Sequence, residues 1–332
     1  MTLDQDTLRL EISGGKRRFR QCLLEWFDRH KRDLPWRQDR DPYRVWLSEI
    51  MLQQTRVAAV TEHYQRFLQR FPTVEKLAAA REASVLAAWS GLGYYRRARM
   101  LHAAARNIVK ERAGGFPASA EELRELPGVG RYTAAAIASI AFDQPVAVVD
   151  GNVERVLQRM RGKNLTGEHL WQAAEELLSK KRPGDFNQAM MELGATICLP
   201  RQPRCLMCPV SSLCATRGEL KLKTPAKEAR QRKREIVYAL DYRNGSIFLV
   251  QRPRKATLMP GMWELPEVTG TNGTLVPGLR LRHSITVTDY TVRVTQSPAP
   301  EGVNGRWVAE SRLPTLPLTG LAQKILRAAK VI

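Results

Sequence analysis

A mainly α-helical chain followed by a smaller α+β part is what the sequence predicts, on three observations. Between about residues 17 and 216 apolar side chains recur at helical spacing; after residue 236 the period becomes two; between them lies a charged stretch with almost no large apolar residue. In the helical part Phe19, Leu23, Leu24 and Phe27 share one face, and Leu47, Ile50 and Met51 repeat the pattern. Thr73 is placed to cap a short helix carrying Leu77, and Val85, Leu86 and Trp89 fit the next. Ser119 with Glu122 three residues on forms a capping box for a helix ending at Leu126. Residues 217–235 hold eight basic and three acidic residues and read as a linker, its charge either simply solvated or following a phosphate backbone. Beyond it, Ile236–Leu240 and Ile247–Val250 flank Asn244-Gly245, a hairpin-turn pair. Leu281–Val287 and Thr291–Val294 form a second strand pair around Asp289-Tyr290, and Leu321, Ile325 and Leu326 a closing helix. The expected division is 1–216, a linker at 217–235, and 236–332.

The chain has 332 residues, 43% of them apolar, which allows two proper cores. Lys plus Arg number 53 against 33 Asp plus Glu, a net charge of +20 with a pI near 10.2. Such an excess repels itself and points to a polyanion, nucleic acid before an acidic membrane surface. The longest weakly polar helical run, Tyr132–Phe142, falls short of the ~20 residues a membrane span needs. The N-terminus lacks an apolar export segment, so a cytoplasmic protein is expected, nucleoid-associated if bacterial. Four of the five cysteines crowd into residues 198–214, which in a reducing compartment suggests metal rather than disulfides; Cys22 reads as a core thiol.

Leu126-Pro127-Gly128-Val129-Gly130-Arg131-Tyr132-Thr133 lies between helical segments. Its glycines permit a tight turn whose amides, at Gly128, Val129 and Gly130, point outward at a helix N-terminus, as phosphate binding requires; a plain helix-turn-helix corner is the bland alternative. Two carboxylates carry the chemistry on offer. Glu49, among Trp46, Ile50 and Leu52, has neighbours that would raise its pKa, unless it is an ordinary exposed carboxylate sharing a face with Gln53. Asp150, before a polar turn and a helix, suits a charged group or an N-cap. Cys198, Cys205, Cys208 and Cys214, spaced C-x6-C-x2-C-x5-C, could ligate zinc or an iron–sulfur cluster.

The hairpin segment and the Val148–Arg155 stretch that follows it resemble the helix-hairpin-helix DNA glycosylase superfamily of endonuclease III and MutY. Leu34-Pro35-Trp36-Arg37 and Trp46–Thr55 resemble the MutY adenine glycosylases within it. The resemblance implies a six-helix barrel module plus an iron–sulfur helical module in the first part. It implies removal of adenine opposite 8-oxoguanine or guanine in double-stranded DNA by a monomer with no membrane partner. Glu49 would protonate the base and Asp150 stabilise the sugar, with Asn152 and Tyr132 beside them. Arg32, Trp36, Arg37, Leu52 and Gln188 would line the pocket of the flipped adenine. Gln54, Thr55, Leu92 and Tyr94 would lie at the duplex, and the four cysteines would hold a [4Fe-4S] cluster. Tyr132 stands where strand-cutting relatives carry a Lys that forms a Schiff base, so a monofunctional enzyme is implied.

Gln251-Arg252-Pro253 and Gly261–Glu267 resemble the Nudix fold, but the downstream acids of a Mg²⁺ site are missing, so pyrophosphate hydrolysis is not expected. Ile285-Thr286-Val287 align poorly with the Phe-Ser-His with which MutY proteins read 8-oxoguanine; Thr286 alone keeps a hydroxyl. Weaker discrimination of that lesion is expected. An endonuclease III-like glycosylase and lyase, and a non-catalytic iron–sulfur DNA-binding protein, are the competing readings.

Overall fold

The computed structural model describes residues 14–218, 232–268, 274–285 and 287–332. The described residues divide into two compact units: 14–54 with 107–218, and 55–106 with the segments from 232 on. No described helix is long and apolar enough to cross a membrane.

The first unit is helical. Helix α1 (Gly15–His30) buries Phe19, Leu23 and Phe27, the face expected from their spacing. Helix α2 (Pro42–Leu52) starts at Asp41, whose carboxylate caps the Arg44 amide, with Pro42 in the first turn. Four more helices of this unit matter for the site: α7 (Ala120–Leu123), α8 (Arg131–Phe142), α9 (Gly151–Arg161) and α11 (Pro183–Thr196), with α10 (Gly167–Leu177) between the last two. Ser119 caps α7 as expected, accepting from the Glu122 amide at 3.2 Å, though the helix stops at Leu123. Helix α8 is Ala-rich and buried along most of its length, so neighbours approach closely. Phe19, Phe27, Leu157, Phe186 and Leu193 share a core against which Cys22, Cys198, Cys208 and Cys214 pack.

The second unit combines α3 (Val57–Arg70), α4 (Val74–Ala79), α5 (Glu82–Trp89) and the first part of α6 (Arg96–Arg112) with two sheets and α12 (Gly320–Ala328). Thr73 caps α4 at Lys76, and α12 is the closing helix expected from Leu321, Ile325 and Leu326. In one sheet β1 (Arg232–Ala239) runs parallel to β6 (Thr288–Gln296), which pairs antiparallel with β5 (Thr274–Ile285). The other joins β2 (Tyr242–Arg243), β3 (Ser246–Gln251), β4 (Trp263–Glu264) and β7 (Gly305–Ala309), with β7 also against β3.

Three local expectations are revised. Asn244 and Gly245 form the turn, both at positive φ (49° and 69°), but the partner of β3 is the two-residue β2, not Ile236–Leu240. The buried Asp241 breaks the strand: its carboxylate takes the Arg243 guanidinium at 2.7 Å and the Ala299 amide at 2.9 Å, and the chain passes from one sheet to the other. Arg232–Glu235, read as the end of the linker, are the exposed start of β1, their alternation hidden by charge on every position. Asp289 and Tyr290 are inside β6, not in the turn before it.

Candidate active site

Glu49 lies on α2 with only 6% exposure, so the exposed-carboxylate reading fails. Its burial comes from packing that the local sequence does not encode, with α2 laid along α8. Tyr132, in the first turn of α8, donates its hydroxyl to Glu49 Oε2 at 2.6 Å. Burial pushes the Glu49 carboxyl up from its ordinary 4.5 to about 7. The Tyr132 hydrogen bond and the Arg37 charge oppose that rise, and the Asp150 charge adds to it. Burial and the same two carboxylates lift the Tyr132 phenol well above its ordinary range.

Asp150 is the N-cap of α9, as its place before the helix suggested. Oδ1 accepts from the amides of Asn152 (2.9 Å) and Val153 (2.8 Å), and Oδ2 from the Asn152 side-chain amide at 2.9 Å. Asn152 is held in turn by Arg155, whose Nη2 donates to Asn152 Oδ1 at 2.9 Å and to the Gly194 carbonyl at 2.7 Å. Gly194 allows α11 this close, since a Cβ there would stand 2.6 Å from Asn152 Cβ.

Two of the residues expected around the base, Arg32 and Arg37, converge on a group that sequence reasoning missed. Arg32 donates from Nε and Nη2 to Glu192 at 2.6 and 2.9 Å, and Arg37 from Nη2 at 2.8 Å. Glu192, on α11, is 1% exposed. Burial pushes its carboxyl up, but the Arg32 hydrogen bonds and the Arg37 and Arg32 charges outweigh that, and the group stays below its ordinary value. The signal was available: a lone acid within the apolar run Ala189-Met190-Met191-Glu192-Leu193 needs a cationic partner. Trp36 is buried at 7%, while Leu52 and Gln188 are half-buried.

In the hairpin, Gly128 (φ 78°) and Gly130 are exposed, while the Val129 side chain is buried and its amide, expected to point outward, instead donates to the Leu126 carbonyl at 3.1 Å within the turn. Gln54, at the end of the same unit, is exposed with φ 55°. In the second unit Thr55 Oγ1 accepts from Arg97, and Tyr94 is 57% exposed with φ 47°, but Leu92, expected at the duplex, is buried at 6%. Thr286 lies outside the described residues.

Cys198, Cys205, Cys208 and Cys214 line one small cavity of about 30 Å³ with Val156, Met160 and Leu193. Burial pushes the Cys208 thiol up to about 12, and the neighbouring cysteines add to this. Arg159 borders the cavity, with Nη1 3.3 Å from Cys198 Sγ, and Arg155 Nε donates to the Cys198 carbonyl at 2.8 Å. Among the described residues no three His, Cys, Asp or Glu side chains close on a single metal-ion position.

A helical hairpin beside a buried acid and a capped carboxylate defines a helix-hairpin-helix protein of the DNA repair class. Residues 47–180 match the model of the HhH-GPD superfamily of base excision DNA repair proteins. A thermostable thymine-DNA glycosylase of known structure superposes with a TM-score of 0.58 at 33% identity, over 61% of this chain and 96% of that one. A non-covalent endonuclease III–DNA complex superposes with a TM-score of 0.53 at 25% identity and the same coverage. The adenine DNA glycosylase of Rattus norvegicus is 44% identical over 312 residues, which is 76% of this chain. The chain spans about 60% of that relative's length. The chain belongs to the HhH-GPD superfamily of base excision DNA repair proteins.

Proposed function

We propose that the protein removes adenine from double-stranded DNA where it is mispaired with 8-oxoguanine or guanine, hydrolysing the N-glycosidic bond without cutting the strand. The observation that carries this reading is the pair of unlike carboxyls, Glu49 buried and lifted to about 7 and Asp150 bound by three donors. An acid poised near neutrality gives a proton to adenine N7 as the C1′–N9 bond breaks; the carboxylate of Asp150 stabilises the cationic sugar. Water then adds at C1′ and its proton passes to the Glu49 carboxylate, which restores the acid and leaves an abasic site. Tyr132 supplies no amine, so no Schiff base with the sugar forms and the strand stays whole. Arg32, Trp36, Arg37, Leu52 and Gln188 hold the base once it has left the stack.

The four cysteines fit a [4Fe-4S] cluster: they line one apolar cavity, in a spacing with a single tight pair, and four half-buried thiolates so close together are tolerable only around a cationic group. Cys198, Cys205, Cys208 and Cys214 would hold the cluster, which would cross-link residues 198–214 and offset part of their thiolate charge. The exposed hairpin glycines and the basic excess suit a phosphate backbone. Along the chain the division is a helical part to residue 216, a linker from 217, and a last part that begins with β1 at Arg232 and faces the base opposite adenine; the protein works in the cytoplasm as a monomer.

The test is incubation with a duplex carrying adenine opposite 8-oxoguanine and, separately, with one carrying thymine glycol, with Glu49→Gln as control. Adenine release by the unaltered chain alone, with an intact strand, is expected. Release of thymine glycol with strand cleavage would point to a lyase, and binding without any release to a non-catalytic protein.

A further inference from the structure

The exposed Tyr94 stands on a loop, residues 91–94, whose two ends are tied to one backbone atom of the C-terminal segment. Ser90 Oγ donates to the Leu318 carbonyl at 2.6 Å, and the Tyr95 hydroxyl donates to the same oxygen at 3.2 Å. Ser90, Tyr95 and Leu318 are buried, at 8%, 4% and 1% exposure. Leu318 is itself fixed. It bridges Trp263 of β4, with the Trp263 amide donating to the Pro317 carbonyl and the Thr319 amide to the Trp263 carbonyl, both at 2.9 Å. Its own carbonyl is thereby turned away from the sheet and toward the loop. Nearby, Arg99 Nη2 donates to the Pro260 carbonyl at 2.6 Å, a second tie from the same stretch to the loops around β4.

Within the loop the backbone is under constraint. Gly91 and Gly93 have φ of 104° and 72°, and a Cβ on Gly91 would meet His63 Nε2 at 3.0 Å and Gln323 Oε1, from α12, at 3.3 Å. Tyr94, a bulky residue, also sits at positive φ, 47°, a strained conformation that persists only where the surroundings fix it. The Arg97 guanidinium lies over both the Tyr94 ring (5.4 Å) and the Trp89 ring (5.5 Å), and Trp89 Nε1 donates to the Gly93 carbonyl at 3.1 Å.

We propose that Ser90 and Tyr95, clasping the Leu318 carbonyl, are positioning residues that hold Tyr94 in its left-handed conformation for entry into the duplex. The C-terminal part thus acts on DNA through the loop that it grips, in addition to any surface of its own. This rests on the reading of the protein as an adenine glycosylase and of Tyr94 as a duplex contact.

The test is a mutant cycle in the full chain: Ser90→Ala and Tyr95→Phe, singly and together, each with Tyr94 present and in a Tyr94→Ala background. Single-turnover adenine release and affinity for the mispaired duplex are measured, with melting temperature recorded for each variant. With Tyr94 present the double variant is expected to lose about tenfold in duplex affinity and release rate. In the Tyr94→Ala background the same two changes should cost less than about twofold. Equal losses in both backgrounds, or none in either, would overturn the proposal. If the double variant does not fold, Tyr95→Phe alone, which removes one hydroxyl, carries the same comparison. If the unaltered chain releases no adenine, the activity reading fails, and duplex affinity still decides the clasp.

Discussion

Glu49 and Glu192 occupy two regions of the same helical unit, both nearly sealed from solvent, and their surroundings drive them in opposite directions. Around Glu49 the Tyr132 phenol donates a hydrogen bond at 2.6 Å, Asp150 adds a like charge, and the carboxyl rises to about 7. Around Glu192 two guanidiniums supply three hydrogen bonds of 2.6–2.9 Å, and the carboxyl stays ionised. Burial alone therefore does not make an acid. A neutral donor leaves the proton on the carboxyl near pH 7, whereas paired cations remove it and turn the carboxylate into a fixed anchor for the pocket wall.

The comparison breaks most sharply at Glu49. Replacing it by Gln should lower adenine release by about a thousandfold or more in single-turnover assays, since the proton donor is lost. Glu192→Gln should act instead on folding. It strands Arg32 and the largely buried Arg37 without their shared anion, and a loss of about 3–5 kcal/mol in denaturant unfolding is expected.

A smaller effect separates the two acids by pH. Between 4.5 and about 7 the folded state holds a proton on Glu49 that the unfolded chain has released, so this group's contribution to stability falls as pH rises through that window. At 1.36 kcal/mol for each pH unit the shift is worth at most about 3.4 kcal/mol, and Glu49→Gln should recover much of it. The variant is thus expected to melt higher than the unaltered chain at pH 8 and to show little gain at pH 5, measured by calorimetry. Smallest is Tyr132→Phe. It removes the hydrogen bond that lowers the Glu49 carboxyl, so the alkaline limb of the rate profile should move upward, by less than about one pH unit.

Local signals carried much of the architecture. Ser119, Thr73 and Asp150 cap the helices they were expected to cap, because a cap is written in a few neighbouring residues. Asn244-Gly245 marked its turn, but not the partner strand. That depends on Asp241 and on Ala299, a residue remote in sequence. The same limit hid half of the site. Glu49 was found through the blocks around it, yet its burial comes from the packing of α2 along α8. Glu192 belongs to no motif, and Gly194 shows its purpose only where α11 meets Asn152. Leu92 matched its motif and is nonetheless buried. Its loop reaches outward through Tyr94 instead.

The account stands on one acid held near neutrality by its surroundings. Its most direct test is the single-turnover rate of adenine release by the unaltered chain at saturating mispaired duplex, followed from pH 6 to 9. The rate should be level below about 7, where Glu49 carries its proton, and fall toward tenfold per pH unit above it. A rate that stays level or rises across pH 7 would contradict Glu49 as the acid.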